Sequence, residues 1–362
     1  MQRVVVTGAA GAIGRRVVRL LAQAPDVDSV LAIDRRPANG QDPKVEHRFV
    51  DLRRADALAD PAVLADADTV VHLPFAASAI RRRPGALQTD VTRRLLTAAS
   101  AAGVRHLVVL STATVYGAWP NNPVPITEDA PLRPVPDFAY AVGHAEVEQL
   151  VVDWAADDPE RTVAVLRPVT GLAEDGSSWL ARALAGGAGV LAPEEDPPAQ
   201  FVHLDDLAAA VDLVRRKRLD GTYNVSPDGW IAGPRLRALA GSKPRVRPPA
   251  WVIHWVGNLR WRFQRGPIPP GLLPYTTQAW LVANDRLKAE GWQPKVTNEQ
   301  AFVAGTETRW WQLLTPKRRQ ELALALAGIL TAVGVATAVL LIRRAVRAGR
   351  AARALLEARD PR

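Results

Sequence analysis

Short apolar runs alternate with amphipathic runs along the first half of the chain. The run at 4–6 predicts a strand, and the apolar positions within 17–21 predict the amphipathic helix that follows it. Strands that alternate with helices predict an α/β fold built on a doubly wound parallel sheet, with its ligand outside the carboxyl ends of the strands. The other predicted elements are strands at 30–34, 45–50, 69–73, 104–110 and 163–166 and a helix at 84–102.

A glycine-rich turn joins the first strand to the first helix in the spacing G-x-x-G-x-x-G. Gly8 permits the tight turn, Gly11 lets the backbone approach a pyrophosphate, and Gly14 lets the helix pack closely on the strand. The turn therefore predicts a Rossmann-type dinucleotide site at a helix N-terminus, with an ordinary strand-to-helix turn as the alternative. The predicted cofactor contacts of the turn are Gly8, Ala10, Gly11, Ala12, Ile13 and Gly14.

The end of the second predicted strand carries the signal for the type of dinucleotide. Asp34 lies twenty residues after Gly14, where a carboxylate accepts hydrogen bonds from the adenosine ribose and favours NAD. Arg35 and Arg36 follow directly, and arginines there could hold the 2′-phosphate of NADP. Asp34 would repel that phosphate, so we predict NAD, contacted by Asp34 and Arg35, with NADP as the alternative.

Further motifs follow the glycine turn in a fixed order. They are Asp51-Leu52, the run at 71–73, the segment at 111–117, and Tyr140-x-x-x-His144. Over roughly residues 1–305 the chain resembles the extended short-chain dehydrogenases/reductases, the NAD-dependent epimerase/dehydratase family. This resemblance implies a Rossmann-type sheet, NAD as the cofactor, and additional cofactor contacts by Asp51, Leu52, Leu73, Tyr140, His144 and Pro168.

The same resemblance implies three catalytic positions. Thr112 would orient a substrate oxygen, Tyr140 would act as general acid or base, and His144 stands where the family has a lysine. That lysine holds the nicotinamide ribose and lowers the pKa of the tyrosine, whereas an imidazole is mostly neutral at pH 7. Two hypotheses follow: an NAD-dependent oxidoreductase or epimerase acting on a secondary alcohol or ketone, and a non-catalytic NAD-binding sensor or scaffold at the membrane.

The second half of the chain predicts a smaller substrate-side lobe. We divide the chain into a Rossmann domain at 1–170 and a lobe at 171–310 that is interleaved with the core. Val169-Thr170 follows Arg167-Pro168, where sugar-nucleotide members of the family usually have an asparagine, and this argues against a nucleotide sugar. A helix is expected to start near residue 205, capped by Asp205 or Asp206.

Composition and charge exclude several classes of site. The 362-residue chain has no cysteine, which excludes disulfides and thiolate chemistry, and its six scattered histidines predict no metal site. Its N-terminus runs straight into the first strand and does not resemble a signal peptide, so we expect the cofactor domain in the cytoplasm.

Residues 243–284 hold six basic and no acidic residues, interleaved with tryptophans. This stretch is typical of a packed lobe with a basic outer face or a membrane interface; no nucleic-acid motif accompanies it, so we predict no nucleic-acid partner.

An apolar segment near the C-terminus predicts membrane attachment. Residues 322–342 contain no charge over 21 positions, close to the length that spans a bilayer, with basic residues on both sides. The tail at 343–362 carries a net charge of +5, which would keep it in the cytoplasm together with the cofactor domain. A re-entrant segment is therefore the alternative to a transmembrane helix.

We expect a protein of the cell membrane that contacts membrane lipid and acts on a small-molecule substrate that is lipid-linked. The resemblance also implies a homodimer formed through the Tyr140 helix.

Overall fold

A computed structural model gives the fold of most of the first 306 residues. Met1–Glu307 form one compact unit and Thr308–Arg362 a second. The described residues are 2–36, 42–58, 61–73, 84–174, 197–240 and 270–306, together with Leu180, Leu184, Glu321, Leu324, Ala325 and Thr331.

Nine strands and eight helices carry the described part of the first unit. The strands are β1 (Gln2–Thr7), β2 (Val27–Asp34), β3 (Val45–Phe49), β4 (Thr69–His72), β5 (His106–Leu110), β6 (Thr162–Pro168), β7 (Thr170–Leu172), β8 (Phe201–His203) and β9 (Gly221–Val225). The helices are α1 (Ala12–Gln23), α2 (Pro84–Ala101), α3 (Ala139–Ala156), α4 (Leu204–Lys217), α5 (Gly233–Ala240), α6 (Pro274–Thr277), α7 (Asp285–Ala289) and α8 (Asn298–Thr306). Short 3-10 turns occur at Pro61–Leu64, Ala113–Tyr116 and Pro270–Leu272.

The main sheet has seven parallel strands in the order β3-β2-β1-β4-β5-β6-β9. This arrangement confirms the predicted doubly wound Rossmann-type sheet. The strand order reverses between β1 and β4, and a crevice opens at the carboxyl ends of the strands at such a reversal. Gly8 follows β1 and Leu73 follows β4, so both lie at this crevice.

Alternate residues of β1 pack into two separate cores, one on each face of the main sheet. Val4 and Val6 pack in one apolar cluster with α1 and α4, whereas Val5 packs in another with α2 and α3. The sheet is therefore covered by helices on both faces, which explains the continuous apolar run of its strands.

The predicted strand boundaries differ from the structure where local sequence hides the pairing. β2 begins at Val27 rather than residue 30, because Asp28 and Ser29 interrupt the apolar run although Val27 and Ser29 pair with β1. β5 begins at His106 rather than residue 104, since the Val104 N–H donates to the Ala99 carbonyl at the end of α2.

Elements beyond residue 170 belong partly to the main sheet. β9 forms its last strand and α4 packs beside α1, while β7 and β8 form a separate two-stranded sheet. His203, not Asp205 or Asp206, caps α4, because its Nδ1 accepts the Asp205 N–H; the Asp206 carboxylate instead accepts the N–H groups of Lys295 and Val296.

Several predicted features lie outside the described residues. They are most of the aromatic and basic stretch at 243–284, almost all of the apolar segment at 322–342, and the tail at 343–362. Among the residues that the structure does describe, no helix has both the length and the apolar character needed to cross a bilayer.

Candidate active site

The glycine turn between β1 and α1 forms the floor of the crevice. Gly8 has a φ of +75°, and a Cβ added there would lie 2.5 Å from the Leu73 carbonyl oxygen. A Cβ on Gly14 would lie 2.2 Å from the Gly8 carbonyl oxygen. Both positions therefore require glycine, for the tight turn and for the close approach of helix and strand that the sequence predicted.

The N-terminus of α1 is open toward this turn. Its hydrogen-bond ladder begins with the Arg15 N–H donating to Gly11 O at 3.0 Å, so the N–H groups of Ala12, Ile13 and Gly14 lie outside the ladder. The N-cap is Gly11, which offers no side chain to occupy them. Free N–H groups at the positive end of a helix fit the pyrophosphate of a dinucleotide.

Asp34 connects the glycine turn to the end of β2. Its Oδ2 accepts the Ala10 N–H at 3.0 Å, and its Oδ1 accepts the Arg36 N–H at 2.9 Å. The Arg36 Nε lies 3.5 Å from the same Oδ1. The carboxylate is thus placed for the predicted ribose contact, and it also fixes the shape of the turn.

A pocket of about 290 Å³ runs from this turn to the ends of β5 and β6. Four of the predicted cofactor contacts, Ala10, Gly14, Asp51 and Leu52, do not line it. Asp51 pairs with Arg53, which holds the pKa of its carboxyl down at about 2, and Leu52 is buried in the α2–α3 core. The predicted residues that do line the pocket are Gly8, Gly11, Ala12, Ile13, Asp34, Arg35, Leu73, Thr112, Tyr140, His144 and Pro168.

Further residues of the lining were not predicted. Apart from Leu180, they lie at or just after the ends of strands or on α4, a position that could have been inferred from the expected sheet but not from any motif. They are Arg36, Leu110, Ser111, Val169, Thr170, Gly171, Leu180, Leu204 and Leu207.

Thr112 and Tyr140 meet in the pocket. Thr112 is the N-cap of the turn Ala113–Tyr116, where its Oγ1 accepts the Thr114 N–H at 3.2 Å. Burial raises the pKa of the Tyr140 phenol to about 12, against the opposing effect of a hydrogen bond with the Thr112 side chain. The phenol is consequently protonated at neutral pH and available as a proton donor.

His144 lies one helical turn after Tyr140, with the two ring centroids 4.6 Å apart. Its Nε2 is 3.5 Å from the Gln88 amide nitrogen, and its pKa falls to about 3 through burial and, to a lesser extent, the nearby His72. The imidazole is therefore neutral and supplies no cation to Tyr140.

Two buried polar atoms of the lining have no hydrogen-bond partner within the described part of the chain. They are His144 Nδ1 and Thr170 Oγ1, each on a side chain at most 2% exposed. Buried polar atoms normally have partners, so their presence here fits a ligand that brings hydroxyl or amide groups. The nicotinamide ribose and carboxamide of NAD carry such groups.

A buried polar network lies directly behind Thr112 and was missed by the sequence reasoning. The Ser111 hydroxyl donates to Glu148, and Glu148 pairs with Arg167, whose Nη2 lies 2.6 Å from Oε2. Arg167 also donates to the Tyr116 hydroxyl at 2.7 Å. The spacing of Tyr140, His144 and Glu148 at every fourth position was the available signal for part of this network.

Comparison with known proteins agrees with the fold. A 3-diazoavenalumate denitrifying reductase of a Streptomyces species is 32% identical over 326 residues, which are 81% of this chain and 96% of the relative. An uncharacterized protein of Mycobacterium tuberculosis is 27% identical over 310 residues, 83% of this chain and 82% of its own. The solved structure of MoeE5 in complex with UDP-glucuronic acid and NAD shares the fold, with a TM-score of 0.64 at 22% identity over 84% of this chain and 98% of its own.

The glycine turn, the switch-point pocket and the Thr112–Tyr140 pair all lie within the segment that matches a family model. The model of the NAD dependent epimerase/dehydratase family matches residues 4–226. The chain therefore belongs to the NAD-dependent epimerase/dehydratase family and is an NAD-dependent enzyme.

Proposed function

We propose that the protein is an NADH-dependent reductase that converts a ketone into a secondary alcohol. The observation that carries this proposal is the buried Tyr140 phenol in contact with Thr112, beside the His144 imidazole instead of a lysine; burial raises the pKa of that phenol to about 12. Oxidation of an alcohol requires a base, so it needs the phenolate, whereas reduction of a ketone requires an acid. The site is poised for reduction because its phenol holds its proton at neutral pH.

The residues divide the reductive step between them. When bound, reduced NAD supplies the hydride that adds to the carbonyl carbon. The Thr112 hydroxyl orients the carbonyl oxygen by a hydrogen bond, and Tyr140 donates its proton to that oxygen as the C–O double bond becomes single. The tyrosine then regains a proton from solvent, so that one ketone, one hydride and one proton give one alcohol, with NAD left oxidised.

The pocket favours an uncharged reacting group. Among the described lining residues the cations are Arg35 and Arg36, and both stand beside Asp34 at the adenosine end. The lining near the catalytic residues is apolar or hydroxylic, with Leu180 and Val169 as examples. We infer a sugar-derived or lipid-like ketone whose reacting part carries no charge.

We also propose attachment to the cytoplasmic face of the cell membrane. The support is the charge-free segment at 322–342 and its basic flanks at 317–319 and 343–344. Deleting residues 316–362 should move the protein from the membrane fraction to the soluble fraction. If the truncated protein stays on membranes, the attachment lies elsewhere, and the tryptophan-rich stretch at 251–263 is the next candidate.

The pH dependence of the two reaction directions tests the proposed reaction. Oxidation of NADH at 340 nm with cyclohexanone and 4-nitroacetophenone should change little between pH 6 and 9.5. The reverse reaction, with NAD and the matching alcohols, should be slow at pH 7 and rise about tenfold per pH unit, since the reactive phenolate becomes more abundant by that factor. Alcohol oxidation that is fast and independent of pH around pH 7 would contradict the proposal.

A second candidate function is a non-catalytic NAD-binding sensor, which the neutral His144 favours. It predicts enhanced NADH fluorescence on binding but no turnover of any ketone or alcohol in either direction. Binding with turnover excludes this candidate, and binding without turnover across a broad ketone and sugar panel excludes the reductase.

A further inference from the structure

Glu148 is a buried carboxylate that the proposed reaction does not use. It lies on α3 four residues after His144 and eight after Tyr140, and it is 3% exposed. At 3.6 residues per turn, these three positions fall within about 80° of each other around the helix. Glu148 is therefore on the face of α3 that carries the catalytic residues, two turns from the phenol.

The carboxylate joins α3 to two neighbouring strands. The Ser111 hydroxyl, directly after β5, donates to Oε1. The Arg167 guanidinium, from β6, donates to Oε2 through Nε at 3.0 Å and Nη2 at 2.6 Å. Ser111 precedes Thr112, so one hydrogen bond links the neighbour of the substrate-orienting hydroxyl to the helix of the proton donor.

The start of α3 is weakly fixed by its own sequence. The helix begins at Ala139, one residue before Tyr140, and its N-cap residue Phe138 makes no side-chain capping hydrogen bond. The Phe138 ring packs on Tyr275, with centroids 5.2 Å apart, and provides one anchor before the phenol. After the phenol, Val147 and Val151 of α3 pack in the core shared with α2, and Glu148 adds a polar anchor on the face that carries Tyr140.

We propose that Glu148 is a positioning residue that sets the separation of the Thr112 hydroxyl and the Tyr140 phenol. Glu148 holds Ser111, the neighbour of Thr112, by a hydrogen bond, and it fixes the rotation of α3, which carries Tyr140. The Arg167 guanidinium balances the charge of the Glu148 carboxylate. This inference rests on the proposed function, because it assigns the geometry that proton donation by Tyr140 requires. Hydrogen-bond reach allows only a few tenths of an ångström of misplacement, so loosening this anchor should slow proton transfer more than binding.

The test compares Glu148→Gln with the matched control Glu146→Gln. Glu146 is on the same helix and also contacts α2, where its Oε2 accepts the Thr89 hydroxyl at 2.9 Å, but its side chain is exposed. With 4-nitroacetophenone and NADH, Glu148→Gln should lower kcat at least tenfold and leave KM and NADH affinity within about twofold. Glu146→Gln should leave all three within about twofold. Equal losses in both variants, or none in Glu148→Gln, would overturn the proposal.

A spectroscopic readout keeps the test independent of turnover. The ¹⁵N signals of labelled histidine report the position of His144, whose signal is assigned by its loss in His144→Gln. Glu148→Gln should shift that signal and Glu146→Gln should not, even if no ketone is reduced. An absence of turnover in the wild-type protein therefore counts against the reductase alone, whereas an unmoved His144 signal in Glu148→Gln counts against the positioning role.

A milder variant covers the case in which Glu148→Gln does not fold. Ser111→Ala removes one hydroxyl from the network and leaves the Glu148–Arg167 pair in place. It should lower kcat several-fold, with the same direction of His144 shift and unchanged NADH affinity. A Ser111→Ala protein with wild-type kcat and an unmoved His144 signal would refute the link between Glu148 and Thr112.

Discussion

The cofactor end and the catalytic end of the pocket are shaped by different parts of the chain. At the cofactor end, the shape comes from backbone: two glycines that admit no Cβ, and helix N–H groups left outside the ladder. At the catalytic end, it comes from side chains of Thr112, Tyr140 and His144, which are held by packing and buried hydrogen bonds. Backbone geometry supplies the pyrophosphate site without any side chain from position 144, whereas turnover depends on the identity and placement of single side chains.

The largest effect is expected from Tyr140→Phe, which should impair catalysis at one end of the pocket and leave cofactor binding at the other end intact. Removing the proton donor should lower kcat for ketone reduction by roughly 10² to 10⁴. NADH affinity, measured by fluorescence enhancement, should stay within about twofold, because the glycine turn is untouched. A parallel loss of NADH binding would show that the two ends are not separable.

Acid should destabilise the fold through buried histidines. His72 bonds Thr7 of the glycine-turn strand, at 2.8 Å between Nδ1 and Oγ1, and burial lowers the pKa values of both His72 and His106 from 6.5 to about 4. The unfolded chain therefore binds more protons between these values. Stability should be fully present above pH 6.5 and fall as the pH drops toward 4, by about 3 kcal/mol for each imidazole.

Urea unfolding between pH 7.5 and 4.5 measures this loss. His106→Gln should flatten the dependence, whereas His47→Gln, at an exposed position on β3, should leave it unchanged. A pH dependence identical in His106→Gln and the wild type would mean that the buried imidazole does not control acid stability.

Gly8→Ala tests the backbone construction of the cofactor end. The substitution combines a left-handed φ with a contact of 2.5 Å to Leu73 O, so NADH affinity should fall at least about tenfold. Gly103→Ala is the matched control, because Gly103 has a φ of +70° and nothing within 4 Å of an added Cβ. It should cost about 1 kcal/mol of stability and leave NADH affinity unchanged. Equal NADH affinities in the two variants would show that the close contact between residue 8 and Leu73 O does not control cofactor binding.

The smallest effect is expected from His144→Lys, which adds the cation that the catalytic end lacks. A lysine ammonium one turn from Tyr140 should lower the pKa of the phenol and raise alcohol oxidation at pH 7 several-fold. His144→Gln, which is neutral, should leave the pH profile unchanged. If His144→Lys leaves oxidation unaltered as well, the charge at this position does not control the phenol.

The difference between the two ends also explains how much could be predicted from the sequence. The glycine turn, Asp34 and most sheet strands are local patterns, and the structure confirms the sheet that they imply. Arg167 and the pocket-facing leucines of α4 are brought to the site over long sequence separations, so no local pattern indicates them, and the local signal for Glu148 is only its spacing from Tyr140 and His144. The cap of α4 differs from the prediction because Asp206 accepts N–H groups from Lys295 and Val296, far along the chain, while His203 caps the helix. The homodimer and the membrane segment stay predictions.

The hydrogen bond from Ala10 N–H to Asp34 has a consequence for altering the choice of cofactor. Converting an NAD site to NADP usually begins by removing the acid at this position, and Arg35 and Arg36 would make that exchange look simple. Here the same carboxylate braces the turn that holds the pyrophosphate. Replacing Asp34 would therefore loosen the grip on either dinucleotide, and an effective redesign must first supply a new acceptor for the Ala10 N–H.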